Sequence, residues 1–278
     1  MNSANTDKTW SMRSFDWWAQ KEIDELDYED ITTNSFHAHF VDPWKPVKIV
    51  GACRHWSALS KWNDSNYLVE RWGSADTLLT TPSYRGSLSS DDIEKYEKVE
   101  KSTLAKAIAS GSEFLINSPI GQERDFKNTL CLPSELIEDL SEDKLVIDTK
   151  APRFYPRRRM FLYRGGITPW HAHISDEHLT YQIVGEKDFV FLPPRQMHWR
   201  RRVQKLGAVP YCVTLKAGDA VYIPPSWYHA VAPYGHEYGA TMAFAWAGSK
   251  KSHLKSLFSG NAIFTFWTLY IAAKNRLI

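Results

Sequence analysis

Between Gly165 and Lys187 the chain reads GGITPWHAHISDEHLTYQIVGEK, which holds three histidines, an aspartate and two glutamates ahead of its closing lysine. In an extended strand, residues two apart share a face, so His171 and His173 can point together into a barrel. Imidazoles at that spacing suit Fe, Mn, Cu, Ni or Zn, and a carboxylate completing the set favours the harder, oxygen-tolerant metals among these. An HxH pair alone is a weak signal, since short motifs recur by chance on surfaces and in cores. Context strengthens it. Downstream, LKAGDAVYIPPSWYHAV places a tight turn at Gly218-Asp219, an apolar strand and a Pro-Pro corner ahead of His229. A histidine after such a rigid corner is well placed to complete a site at the mouth of a barrel.

The elements that must position these residues change character along the chain. Up to about residue 145, helix-like segments dominate: WWAQKEIDELDY, NYLVERWG around Asn66 to Gly73, SDDIEKYEKVEKSTLAKAIASG from Ser90 and PSELIEDL from Pro133. Between them PVKIVGAC has the short, β-branched character of a strand. From about residue 150, RMFLYRG, HLTYQIVG, KDFVFLPP, VPYCVTLKAG, DAVYIPP and GATMAFAWAG are short apolar or alternating runs separated by Gly, Pro and polar clusters. Their spacing is that of an all-β sandwich or barrel. The expectation is a barrel core over about 150–248, buttressed by helices and preceded by a loose tail over 1–14.

The 278 residues include 43% apolar and 24% charged residues, the balance of a globular domain rather than a disordered chain. Lys plus Arg (34) nearly equal Asp plus Glu (32), so no global field argues for nucleic acid or a membrane surface. Cys53, Cys131 and Cys212 are widely spaced and odd in number, which fits a reducing cytoplasm better than a disulfide framework. The run AIFTFWTLYIAA, Ala262 to Ala273, is shorter than the roughly 20 residues a membrane span needs and reads as a buried or dimer-forming helix over 249–278.

The run G-x5-H-x-H-x3-E-x7-G from Gly165, with G-x5-P-x-S-x2-H from Gly218, resembles the two motifs of the cupin superfamily. There the interval before the last glycine is usually six, and a glycine usually stands at the position of Ser226. The stretch KPVKIVGACRHWSALSKW, followed by TPWHAH, QIVGEKDFVFLPP and GDAVYIPPSWYH, is similar to the cupin-8 or JmjC-like branch. That branch includes iron(II) and 2-oxoglutarate-dependent hydroxylases, such as the asparaginyl hydroxylase acting on hypoxia-inducible factor. The likeness covers most of residues 36 to 248. It implies a mainly β fold, a double-stranded β-helix with supporting helices.

Carried over position by position, the resemblance makes His171 and His229 metal ligands. Lys187 becomes the partner of the distal carboxylate of 2-oxoglutarate, with Thr168 beside it. An ammonium inside a barrel needs an anion to offset its burial. Two departures stand out. The branch expects H-x-D where this chain has His173, and Ala243 stands where several relatives have a co-substrate-binding asparagine. Three ligand sets follow: His171, His173 and His229; these with Glu177; or His171 and His229 with Asp176 or Glu177. Three protein ligands leave three octahedral positions, enough for a bidentate keto acid and oxygen, whereas four leave two.

Three functions follow as well. One is an Fe(II) oxygenase using 2-oxoglutarate. Another is a cupin dioxygenase or isomerase whose substrate meets Fe(II) or another divalent metal directly. The third is a binding module without catalysis. His178, Tyr181 and Trp227 are candidates to meet substrate or support the site, against the plainer reading of packed strand residues. PRRR (Pro156 to Arg159) and RQMHWRRRVQK (Arg195 to Lys205) could meet phosphates or bases, or be solvated loops paired with acids. With a near-zero net charge, a small-molecule or acidic peptidyl substrate is preferred over nucleic acid, and a homodimer is expected from the C-terminal segment.

Overall fold

The computed structural model describes residues 11–16, 18–81, 98–121, 130–147, 149–173, 176–194, 196–198, 203–204, 208–235 and 238–249. The expected C-terminal helix, residues 1–10 of the expected tail and most of the basic segment 195–205 lie outside these. Along the chain come β1 (Asp24–Asp27), α1 (Thr33–Phe36), β2 (Val47–Val50), α2 (Ala58–Lys61), α3 (Ser65–Trp72), β3 (Asp76–Thr81), β4 (Lys98–Thr103), α4 (Leu104–Ala109) and β5 (Phe114–Pro119). After them come β6 (Arg158–Arg164), β7 (Thr168–Ala172), β8 (Asp176–Val184), β9 (Glu186–Leu192), β10 (Met197–His198), β11 (Val203–Gln204), β12 (Tyr211–Lys216), β13 (Ala220–Ile223), β14 (Tyr228–Pro233) and β15 (Tyr238–Ala247).

Two facing sheets carry the core. A nine-stranded sheet runs β1-β2-β13-β8-β15-β6-β5-β3-β4, and a four-stranded sheet runs β12-β9-β14-β7. Consecutive strands β6 to β9 alternate between the sheets, and so do β12 to β15, which gives the expected double-stranded β-helix. Neighbouring core strands are antiparallel. Between the sheets their inward side chains close on a narrow cavity of about 60 Å³.

The first half is less helical than its sequence suggests. Asp24–Asp27, inside WWAQKEIDELDY, is a strand in parallel register with β2, Asp24 opposite Val47. Lys98–Thr103, inside the segment expected as helix from Ser90, pairs antiparallel with β3. Among the described residues of that segment the helical ones are Leu104–Ala109, capped by Thr103 Oγ1, which accepts from the Lys106 N–H at 3.4 Å. Pairing with β3 outweighs the helix preference of Lys98, Glu100 and Lys101, and at the sheet edge these charges also discourage further strand addition. NYLVERWG does form a helix, α3, begun by Asp64, whose carboxylate accepts from the Asn66 N–H. Asp139 of PSELIEDL ties α2 and α3 to the 3-10 turn that carries it: it accepts from Lys61 Nζ at 2.6 Å, Trp62 Nε1 at 2.8 Å and Tyr67 Oη at 2.9 Å. Among the described residues no helix is long and apolar enough to cross a membrane.

Residues 11–14 are not part of a loose tail. Met12 is fully buried against Ile167, Trp170, Leu192 and Tyr228 on the outer face of the smaller sheet. Arg13 donates to both oxygens of Asp188 at 2.8 Å and to Glu186 at 2.5 Å. The Asp188 side chain is 1% exposed, so the guanidinium supplies most of its compensation, with Thr214 Oγ1 donating at 2.7 Å. Breaking a buried ion pair from one side strands the other charge. Arg13→Ala is therefore expected to destabilise the fold by about 2–4 kcal/mol. The measurement is a lower urea midpoint at unchanged slope; an unshifted midpoint would show that the segment is not a structural strap.

Candidate metal centre

His171 lies in β7 and His229 in β14, directly opposite one another in antiparallel register, and their ring centroids are 4.0 Å apart. His173 follows the end of β7, with its ring 4.7 Å from that of His229 and 5.2 Å from that of His171. One nitrogen from each of the three falls within 4.8 Å of the others. Two are oriented by backbone. His171 Nδ1 donates to the Pro169 carbonyl at 2.8 Å and His229 Nδ1 to the Trp227 carbonyl at 3.2 Å, which makes Nε2 the unprotonated nitrogen of each neutral-ring tautomer. Burial depresses the pKa of His173 and His229, and the neighbouring imidazoles add to the effect. Neutral imidazole is the form that binds a metal.

The Pro-Pro corner ahead of His229 is held by an unusual backbone. Ser226 has φ of +65°, the left-handed region that favours the glycine found there in related motifs. Its N–H donates to the His173 carbonyl at 2.7 Å. One strained residue thus couples the two halves of the ligand set.

Neither candidate carboxylate reaches the cluster. In β8 side chains alternate, so His178 and Thr180 face the cavity while Glu177, Leu179 and Tyr181 face the opposite layer. Glu177 Oε2 accepts from Tyr222 Oη at 2.5 Å on that far side. Asp176 accepts from the backbone N–H groups of Arg153 at 3.0 Å, Phe154 at 2.7 Å and Tyr155 at 3.3 Å. Its carboxylate therefore pins the chain entering β6, and burial pushes its pKa up to about 6 despite those donors. The extra residue between Glu177 and Gly185 is the cause of the difference, because a slip of one swaps the two faces of a strand. Counted back six from Gly185, the inward place belongs to His178.

Lys187 and Thr168 both line the cavity, as the sequence led us to expect. Lys187 is 4% exposed, and its Nζ donates to Thr241 Oγ1 at 3.3 Å and sits 4.0 Å from the centre of the Tyr163 ring. Thr241 in turn donates to Gln182 Oε1 at 3.0 Å, and Gln182 Nε2 donates to Tyr163 Oη at 2.6 Å. This buried chain of hydrogen bonds holds the ammonium in place. Desolvation lowers the Lys187 pKa to about 7.

Tyr181 and Trp227 do not face the cavity. The Tyr181 hydroxyl bonds to Asp143 and its ring packs on Trp56 at 4.6 Å, whereas Trp227 packs on Tyr211 and contributes only its carbonyl. His178 does face it, with its ring 3.7 Å from His173. Thr241 and Arg159 are cavity residues that sequence reasoning missed. The signal for Arg159 was parity: in PRRR, only every second arginine of the strand can turn inward.

The residues of the second half thus form a two-sheet β-helix with convergent imidazoles and a buried lysine at the positions of the quoted motifs. Residues 33–201 match the Cupin-like domain, and residues 170–246 match the JmjC domain, hydroxylase. The chain belongs to the Cupin-like domain family. Among curated proteins none matches it. The donor set fits a divalent transition metal: three convergent imidazoles, two of them oriented through Nδ1, and a buried His173 Nδ1 with no hydrogen-bond partner in the protein.

Substitution separates the ligands from the carboxylates. His171→Ala, His173→Ala and His229→Ala are each expected to lose stoichiometric Fe(II) after anaerobic dialysis. Glu177→Gln and Asp176→Asn are expected to retain it, the latter with lower thermal stability. Metal analysis of the purified variants decides this; loss of metal in Glu177→Gln at intact fold would restore a carboxylate to the set.

Proposed function

We propose that this protein is a non-haem iron oxygenase that uses 2-oxoglutarate to hydroxylate a small-molecule or peptidyl substrate. The observation that carries the reading is Lys187, an ammonium buried in the barrel beside the imidazole cluster. Among the described residues lining the cavity there is no acid. A buried cation without an anion is costly, and a ligand carboxylate is what relieves it. The match to the JmjC domain, hydroxylase supports the same chemistry.

His171, His173 and His229 would hold the metal on one face and leave the opposite face to ligands. When bound, the iron supplies oxygen activation coupled to oxidative decarboxylation of the keto acid. The protein binds and orients. Lys187 pairs with the far carboxylate, Thr241 and Gln182 fix the lysine, and Thr168 offers a hydroxyl on the facing strand. Phe161, Phe189, Ile223 and Val231 keep the remaining wall apolar and exclude water from the reacting carbon. A second reading, a cupin dioxygenase or isomerase that uses no 2-oxoglutarate, is favoured by the absence of a carboxylate ligand and by Ala243 in the cavity wall.

Anaerobic titration of the Fe(II)-loaded protein with 2-oxoglutarate separates the two. The expected result is the weak visible metal-to-ligand charge-transfer band, with affinity reduced about 10–100-fold in Lys187→Met. Iron binding without the band would favour the second reading.

The affinity should also depend on pH through Lys187. The carboxylate binds the protonated amine, and the free-state pKa is about 7. Binding is therefore full below pH 7 and weakens roughly tenfold per unit above it, until the raised pKa of the complex is reached. Burial has already left His173, His178 and His229 neutral throughout that range. Lys187→Met should flatten the profile, and a profile unchanged by the substitution would remove Lys187 from the role.

A further inference from the structure

The three imidazoles of the cluster are not held alike. Those of His171 and His229 are fixed through Nδ1 by the carbonyls of Pro169 and Trp227. His173 Nδ1 is buried and has no hydrogen-bond partner in the protein. The Ser226 N–H fixes the backbone of His173 by donating to its carbonyl, but a backbone bond does not set the side-chain torsions that aim the ring. A ligating histidine is ordinarily oriented by a hydrogen bond from its second ring nitrogen, and removing that partner lowers metal affinity about 10–100-fold. The His173 ring must be aimed by other means.

Two rings pack on it. The His178 ring lies over that of His173 with centroids 3.7 Å apart and planes inclined at 35°, and the Tyr155 ring stands 5.0 Å from His173 at 59°. Tyr155 also meets His178 edge to face at 4.9 Å, so the three rings pack pairwise. Both neighbours are anchored by β8. His178 is buried and paired on both sides, opposite Ile223 of β13 and Ala245 of β15. Tyr155 stands just ahead of β6, where the backbone N–H groups of Arg153, Phe154 and Tyr155 converge on the Asp176 carboxylate. Asp176 and His178 are two apart on one strand and share its face. A carboxylate that does not reach the cluster thus still acts on it, by fixing where Tyr155 stands.

We propose that His178 and Tyr155 are positioning residues, whose rings clamp the His173 imidazole in place of the hydrogen bond it lacks and so set the affinity of the metal centre. Flat rings in contact restrict the rotation that a side chain without a polar partner would otherwise keep. What the clamp needs is ring shape. Neither a nitrogen of His178 nor the hydroxyl of Tyr155 takes part, which separates this role from that of a fourth ligand or of a hydrogen-bond donor. The inference rests on the metal centre of the function proposed above and is independent of 2-oxoglutarate.

The test uses the full chain and Co(II) alone. Affinity is read by competition with a chromophoric chelator, and the ring N–H protons of the ligating histidines are followed as hyperfine-shifted resonances that exchange in D2O. His178→Ala and Tyr155→Ala are each expected to weaken Co(II) binding about tenfold. Each should also shift or broaden one of the three resonances, the fastest to exchange, while the two from rings bonded to carbonyls hold. His178→Phe and Tyr155→Phe keep the rings and should retain the wild-type affinity and spectrum. Where an alanine variant does not fold, leucine, which fills the space without a flat face, takes its place with the same expectation. Unchanged affinity in folded variants without the rings would overturn the proposal, and so would all three resonances moving together. A loss in His178→Phe equal to that in His178→Ala would overturn it too, by giving the role to a nitrogen. If the wild-type protein takes up no Co(II), the metal centre falls and the function proposed above with it, whereas normal uptake with unaffected variants removes the clamp alone.

Discussion

A strand covered on both faces has no solvent side to absorb a side chain of the wrong kind. Every residue of β8, Asp176 to Val184, is buried. Each polar group on it must therefore find a partner in one of two layers, and the strict alternation of strand side chains decides which. Glu177 goes to the helical side and meets Tyr222, Tyr181 meets Asp143, and Gln182 closes the hydrogen-bond chain behind Lys187. His178 and Thr180 are left to the cavity. The register of this one strand fixes which chemistry the barrel can hold.

The cavity that results is unusual in its charge. Four imidazoles, of which burial keeps His173, His178 and His229 neutral, one lysine and one arginine surround it, and the described lining residues include no acid. The protein supports it with groups outside the cavity: the Pro169 and Trp227 carbonyls orient two imidazoles, and Thr241, Gln182 and Tyr163 hold the lysine. On the outer face of the same strand as Lys187, Asp188 takes Arg13, so alternating residues of β9 present opposite charges to opposite sides.

Legibility followed the range of the interactions. The strands of the second half could be read from short apolar runs between Gly and Pro, because those runs are local. Histidines at 171 and 229 could be named from motif spacing, and their meeting needs only that β7 and β14 pair. The first half misled because KVEKST and DELD have no local β signal; they are strands because β3 and β2 offer an edge. Ser226 stands where the motif usually has glycine, and its backbone adopts the left-handed conformation and bonds to the His173 carbonyl.

Periodicity and spacing within short stretches pointed to a β sandwich or barrel and to His171 and His229 as its outer histidines, whereas the role of Lys187 came from the resemblance to a family motif. Only the tertiary structure decided that His173 joins the cluster, that Glu177 and Asp176 do not, and that Arg159 and His178 face inward. For Glu177 and His178 the physical reason is parity. A single extra residue ahead of Gly185 leaves composition and motif almost unchanged, but it exchanges the two faces of a fully buried strand, and facing is set by the pairing of β8 with β13 and β15.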